Sequence, residues 1–454
     1  MQFQAHVISC LSIRETILFA YASWVAMRRI TNVSTRQPPR RPFLRMGIGI
    51  SLLATTFMFA PTVAAVETSV VCPTQPGPVT TAQTDALFAL AADRLYAAAN
   101  VANLGSPSIK YPFGATARQT RYLRSDAYGW TSGFYPAELW MMYERTADPA
   151  WLALARTWTK GLLPVAKWTG SHDLGFMIGL PAGLAMRLDP DPAQRITYRR
   201  AIIDAAKSLS TRWNGKVKAI QSGEYNGKWG LIIDSAMNAP MLIEAGNMIG
   251  GAEGAQLRSR GEQHLLTLAK FFVRSNGSTF HRLTFNPKTG AYLGPVYGQG
   301  YNMSTSTWSR GQAWAMYGFA KGYAATGNPI LLDVAQRTTG FWNQQVGPGC
   351  VPAWDLDVWS AFAPRDSSAA SIAAAAMLLM GDLDPVSSAE MSQRALITLG
   401  TLTSPEWTSI NTQNPGILIR QTWNVPILKY EGSYVWGDAY LLESLAKVRN
   451  VTNK

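Results

Sequence analysis

Two long segments of this chain are built to one plan, and no other feature limits its fold so tightly. "WTSGFYPAELWMMYERTADPAWLALAR" at 130–156 is echoed by "WSRGQAWAMYGFAKGYAATGNPILLDVAQR" at 308–337. Both open Trp-Thr/Ser-x-Gly, and both later read Thr-x-Asp/Asn-Pro-x-x-Leu-x-x-Ala, with Thr146 and Thr326 standing 180 residues apart. An Asp or Asn side chain accepts from the free N–H groups of a new helix, and proline at the first helical position removes one of them. Each copy is therefore an inner helix, a turn, and an outer helix capped by that turn. Comparable signals head other units: "HDLGF" at 172, "DSAMN" at 234, "DSSAAS" at 366 and "WGDAY" at 436. The unit starts fall at 130, 173, 234, 308, 366 and 438.

Six helical hairpins of roughly 60 residues cannot each bury an apolar face alone, so they must stack. Stretches 87–99, 149–164, 197–210, 239–249, 255–273, 311–325 and 369–381 are rich in Ala, Leu and Met at three- and four-residue apolar spacing. Alternating Val/Ile/Thr runs are nearly absent. The chain reads as all-α, and closing the six units gives a toroid of six inner and six outer helices, an (α/α)6 barrel. An open α-solenoid is the alternative. In the closed form the inner-helix starts converge, which gathers Asp173, Asp234, Arg310, Asp366 and Asp438 around one mouth.

The first 65 residues stand apart from this pattern. "PPRRPFLRMGIGISLLATTFMFAPTVAAVE" has a basic approach, an apolar run from Met46 to Ala60 and a small-residue exit at Val63-Ala64-Ala65. Such a run is short for a bilayer span, so the reading is a cleaved export signal and not a stable membrane anchor. "RRPFLR" at 40–45 resembles a twin-arginine signal, and Met27 makes a more ordinary start than Met1. The expected organisation is 1–65 as export signal and upstream segment, and 66–454 as a single catalytic domain in the periplasm or secreted.

The full chain carries a formal +13, and residues 1–65 hold seven Arg and one Glu, leaving +7 beyond them. That suits an acidic ligand. No long Lys/Arg run of the nucleic-acid-tracking kind is present, so no nucleic acid partner is expected. Cys72 and Cys350 could pair in an exported protein, but two cysteines set no disulfide framework. His172, His264 and His281 show no metal-ligand spacing, so neither a metal nor an organic cofactor is expected. There is no Gly-x-Ser-x-Gly elbow and no phosphate loop.

An aspartate at a helix start needs no function, since capping alone is worth about 1 kcal/mol; Asp366 and Asp438 are read that way. Asp173 and Asp234 have more around them: His281, Gln299, Trp308, Arg310 and Trp314 follow in the intervening and next units. Two carboxylates, an arginine, a histidine and flat rings suit a sugar acid, whose carboxylate an arginine could grip bidentately.

These residues resemble the unsaturated glucuronyl hydrolases, glycoside hydrolase family 88. The resemblance spans roughly 85–450 and rests on "GWTSGFYPAELWMMYERT", "HDLGFM", "IIDSAMNAPML", "QGYNMSTSTWSRGQAWAMYGFA", "DSSAASIAAA" and "VWGDAYLLESL", in that order. It implies an (α/α)6 barrel that removes 4,5-unsaturated uronic acid from the non-reducing end of lyase-generated oligosaccharides. The chemistry it implies is hydration of the vinyl ether double bond, with Asp234 as proton donor and Asp173 as the second aspartate of the site. His281, Gln299 and Arg310 match positions that contact the sugar and its carboxylate; Trp308, Trp314 and Trp130 match stacking positions. The "LII" before Asp234 fits a donor whose pKa must be raised by apolar neighbours. Unsaturated rhamnogalacturonyl hydrolysis and a non-catalytic glycan-binding toroid are the alternatives.

Three departures stand out. Gly223 in "QSGEYNGKWG" replaces an aromatic, with Trp229 or Tyr225 as candidates to stand in for it. The Ser-x-x-Ser-x-Lys run that some members use for sulfated substrates is missing, and "PILKYEGSY" occupies its place before "VWGDAY". Tyr440 completes "GDAY" in place of the more usual aromatic pair.

Overall fold

Helix starts organise the chain as their side chains require. A computed structural model describes residues 70–72, 77–99, 110–358 and 360–452, all within one unit of dense contacts, Ala65–Lys454. The expected export segment lies outside the described residues. Three outer helices open with the Asp/Asn-Pro device: Asp148 accepts from Ala150 N at 2.8 Å, Asp191 from Ala193 N at 2.8 Å and Asn328 from Ile330 N at 3.0 Å.

Twelve α-helices are present among the described residues. α1 spans Thr81–Ala99, α2 Phe134–Thr146, α3 Pro149–Leu162, α4 Leu180–Leu188, α5 Pro192–Ser210 and α6 Pro240–Ile249. α7 spans Gly251–Phe272, α8 Ser309–Thr326, α9 Pro329–Gln345, α10 Ser367–Leu383, α11 Ser388–Leu402 and α12 Val435–Thr452. Even-numbered helices from α2 to α12 form the inner ring. Three of them are buried on every side over their first turns: Phe134–Met142 of α2, Ser309–Ala320 of α8 and Ser367–Leu378 of α10. Outer helices bury one stripe; in α3 it is Trp151, Ala155, Trp158, Thr159 and Leu162.

The ring closes: α12 packs on α2 as well as on α10, so the fold is an (α/α)6 barrel and not an open solenoid. Five of the six expected starts lead into inner helices, and the sixth, at 438, falls within the first turn of α12, which begins at Val435. The sixth hairpin, however, is not contiguous in the chain, because the outer place beside α12 is taken by a helix from the other end of the helix order. α1 fills that place. The segment leading into it bonds to α11 through Val79 N to Leu396 O (2.8 Å), and α1 leans on α3 through Tyr96 against Trp151, with ring centroids 4.0 Å apart.

Short strands, which the sequence reading passed over, decorate the inner-helix starts. β6 (Gly223–Tyr225), β7 (Lys228–Ile232), β8 (Arg282–Phe285) and β9 (Tyr292–Pro295) form a four-stranded antiparallel sheet in that order. β11 (Gly432–Tyr434), β2 (Tyr111–Thr116) and β3 (Leu123–Ser125) form another, and β1 (Val70–Val71) pairs with β10 (Val351–Pro352). β4 (Trp213–Asn214) and β5 (Ala219–Ile220) make a fourth pair. At two to six residues each, they are too short for alternation to stand out. β7 runs straight into the turn that carries Asp234, and β11 into α12.

Cys72 and Cys350 form a disulfide across 278 residues. No helix among the described residues is long and apolar enough to cross a membrane.

Candidate active site

Asp173 and Asp234 stand on neighbouring inner-helix starts held unusually close. Gly133 has no room for a side chain: a Cβ there would meet Phe176 O at 2.0 Å, and one on Gly175 would meet Asn238 at 2.6 Å. These contacts explain the glycines of "WTSG" and "HDLG", which let adjacent units approach backbone to backbone. A π-turn at Gly175–Gly179 follows Asp173, and a 3₁₀ turn at Ile233–Met237 carries Asp234. Asn238, one turn after Asp234, ties the two units together: its Oδ1 accepts from Phe176 N at 3.0 Å and its Nδ2 donates to Asp173 at 3.3 Å.

Around Asp173, Ser171 Oγ donates to the carboxylate at 3.3 Å and His172 Nε2 lies 3.4 Å away. Burial pushes the Asp173 carboxyl up to about 7 and holds the His172 imidazole down at about 4. Asp234 is raised to about 6, chiefly by burial and then by the charge of Asp173. Its Oδ2 is buried and has no hydrogen-bond partner among the described residues. His281 Nε2 faces that oxygen at 3.8 Å. On the far side of the ring, His281 Nδ1 accepts from Gln299 N at 2.7 Å, so the neutral imidazole carries its proton on Nε2, toward Asp234. Burial keeps His281 neutral, well below the usual histidine range. The result is a pair of raised carboxyls, one fastened and one reserved, beside a neutral N–H donor.

Arg310 does not offer the bidentate grip expected of it. The side chain is 1% exposed, and its four terminal N–H groups are taken. Nη1 donates to Asp366 at 2.8 Å and to Thr422 O; Nη2 donates to Gln299 Oε1 at 3.2 Å and to Trp423 O at 2.8 Å. Gln299, half-buried, has its carbonyl turned to Arg310 and its amide N–H groups left for a ligand. The expected stacking rings also need correction. Trp314 is 0% exposed, wedged against Phe176 and Tyr440 at 5.2 and 5.4 Å, because position 314 points into the helix ring. Trp308, 3% exposed, is covered by the His281 ring at 4.5 Å and the Arg310 guanidinium at 4.6 Å. Trp130 is half-buried, stacked on Trp436 at 5.1 Å, and keeps part of its ring open.

Asp366 is the cap it was expected to be, accepting from Ser368 N at 3.1 Å, and the partner of Arg310 besides. Asp438 does not cap its own helix. It lies inside α12 and accepts from Ile417 N (2.9 Å), Leu418 N (2.8 Å) and Gln421 Nε2 (3.0 Å), pinning the loop that follows α11. No group of three or more His, Cys, Asp or Glu side chains able to hold a metal ion occurs among the described residues.

No family model matches the chain. An unsaturated glucuronyl hydrolase of Formosa agariphila is 34% identical over 333 residues, covering 72% of this chain and 81% of that one. The chain belongs to the unsaturated glucuronyl hydrolases. The enzyme of that name from Bacillus sp. GL1 is 31% identical over 345 residues, 73% of this chain and 89% of the relative. A crystal structure of an unsaturated glucuronyl hydrolase specific for heparin superposes with a TM-score of 0.74 at 26% identity, covering 83% of this chain and 99% of the other. The chain is thus a glycoside hydrolase of family 88, which removes the reading as a non-catalytic toroid.

For this glucuronyl hydrolase family member, sequence reasoning missed Ser171, Asn238 and Arg212 near the carboxylates, and named Tyr225 only as a candidate stand-in for an aromatic. Asn238 had a signal, its four-residue spacing from Asp234. The other three depend on strand and loop placement that no spacing encodes.

Proposed function

We propose that this hydrolase removes a 4,5-unsaturated uronic acid from the non-reducing end of an oligosaccharide by hydrating its double bond, with Asp234 as the proton carrier. The observation that carries the reading is the buried, unpartnered Oδ2 of Asp234, raised to about 6 and faced by His281 Nε2–H. A carboxyl in that state donates a proton near neutral pH and is close enough to its own pKa to take one back. The C4=C5 electron pair takes the Asp234 proton at C4, leaving cation character at C5 that the ring oxygen shares. Water adds at C5 and gives its proton to the Asp234 carboxylate. The hemiketal opens by breaking the C5–ring oxygen bond, which turns C1 into a hemiacetal that releases the leaving sugar. Asp173, held by Ser171, Asn238 and His172, supplies negative charge opposite the cation in the form of the pair whose shared proton sits on Asp234. His281, the Gln299 amide and Trp130 orient the sugar; Arg310 acts by holding Gln299 and the 422–423 backbone, with Trp308 and Trp314 as the wall behind them.

The test uses protein starting near Val66, lyase-generated unsaturated disaccharides and their saturated counterparts. Loss of the ultraviolet absorbance of the C4=C5 bond with the unsaturated sugars alone is the expected result. Release of sugar from the saturated counterparts would sink the hydration mechanism.

We also propose that the protein is exported and that 1–65 is removed. The Cys72–Cys350 bridge supports this, since disulfides persist in oxidising compartments. Sequencing the amino terminus of protein recovered outside the cytoplasm should place the start near Val66; full-length chain retained in the cytoplasm with reduced cysteines would refute it.

A further inference from the structure

The four-stranded sheet beside the site has one face in the core and one open. Leu231, Leu283 and Phe285 are buried on the first. Alternation and register put Gly223, Tyr225, Gly230 and Arg282 on the second, with Gly223 opposite Gly230 and Ile232 opposite Arg282. The paired glycines leave a bare patch that Tyr225 fills. A Cβ on Gly230 would meet the Tyr225 ring at 2.3 Å, and one on Gly223 would stand 3.4 Å from its hydroxyl. Tyr225 therefore takes the place left by the missing aromatic at 223, while Trp229 turns to the other face against Phe285.

Arg282 lies over this ring, its guanidinium carbon 4.8 Å from the centroid. Nη1 donates to Tyr297 O at 3.3 Å, but Nε is buried with no partner and Nη2 makes no bond among the described residues. The other arginines of the region are engaged. Arg310 has no terminal N–H to spare, and Arg212 gives Nε, Nη1 and Nη2 to Gln221 O, Thr169 O and Ser222 O. The pair borders the carboxylates: the Tyr225 hydroxyl feels the charges of Asp234 and Asp173, and Arg282 follows His281 in the chain. A half-buried guanidinium whose Nε is enclosed and whose Nε/Nη2 edge has no bond among the described residues is matched in shape to a carboxylate or sulfate.

We propose that Arg282, laid over Tyr225, is an anion subsite that takes an acidic group of the bound sugar on its Nε/Nη2 edge. This rests on the hydrolase reading and names a residue that recognises its substrate. The acidic group is either the uronate carboxylate itself or a substituent on the leaving sugar.

Arg282→Gln and Arg282→Lys would be compared with the unmutated protein, their folding checked by thermal melting. The substrates are one unsaturated disaccharide with a neutral leaving sugar and one with a carboxylated or sulfated leaving sugar. Arg282→Gln should raise KM roughly 10- to 100-fold with a smaller change in kcat. Lysine should restore only part, since a point charge cannot form the fork. A rise on both substrates assigns the uronate carboxylate; a rise on the acidic one alone assigns the leaving side. KM within about twofold on both, in a folded variant, overturns the subsite. Should the unmutated protein consume neither sugar, the hydrolase reading fails separately and the subsite is read by calorimetric titration with glucuronate. Binding weakened about tenfold or more by Arg282→Gln then sustains it, and equal or absent binding overturns it.

Discussion

The mouth of the barrel has two halves that differ in what their carboxylates are used for. Asp173 and Asp234 stand on the α4 and α6 side, Asp366 and Asp438 on the α10 and α12 side. Burial raises all four. Yet Asp366 receives Ser368 N, Thr422 N and Arg310, and Asp438 receives two backbone N–H groups and Gln421. Their oxygens are spent on fastening backbone. Asp234 keeps an oxygen with no hydrogen bond among the described residues, and Asp173 has two side-chain bonds at 3.3 Å. Position at a helix start and a raised pKa are therefore common to both halves, and the bond inventory is what separates a fastener from a reagent.

That distinction breaks most readily at Asp234. Asp234→Asn should lower kcat by roughly 10²- to 10⁴-fold while calorimetry still shows sugar binding. Asp438→Asn should act on the melting temperature and leave a folded fraction that still turns over; abolished turnover in a fully folded Asp438 variant would erase the contrast. Next in size, Asp366→Ala strands the buried Arg310 charge and should cost about 3–5 kcal/mol in denaturant unfolding. The rate profile with pH should be bell-shaped, with apparent values near 6 and 7 that belong to the Asp173–Asp234 pair jointly. Because the charge of Asp173 raises Asp234, Asp173→Asn lets Asp234 lose its proton at lower pH, and the alkaline limb should move down.

The smallest effect concerns Glu138, fully buried on α2 near Asp438, with both oxygens unpartnered among the described residues. Burial and then Asp438 hold its carboxyl well above the usual 4.5. The folded chain thus keeps a proton that the unfolded chain gives up, so stability is present below that pH and is lost as pH rises toward the folded value. Glu138→Leu should add about 1–3 kcal/mol at pH 8 in chemical denaturation, and less as the pH approaches 4.

How far the sequence spoke follows the same division. The six unit starts, the Asp/Asn-Pro turns and the helical class were legible because caps and apolar spacing are local. Asp173, Asp234, His281 and Gln299 do gather at one mouth. What could not be read was commitment. Arg310 looked free because Thr422 and Trp423, more than a hundred residues on, are what occupy it. Trp314 looked like a platform because only the closed ring shows that Phe176 and Tyr440 cover it. Tyr225 over Gly230 needed strand register, which three-residue strands do not announce.

The closing of the ring by α1 against α12 and α2 bears on how the chain is made. Of the twelve helices described, synthesis delivers α1 first and α12 last, so a growing polypeptide has five contiguous hairpins but no complete wall until α12 has emerged. Long-range closure of this kind is slow relative to local helix formation. The bridge from Cys72 to Cys350 must likewise wait for most of the chain. α1 and α12 thus guard a single seam, and removing either one uncovers part of the apolar flank of α2.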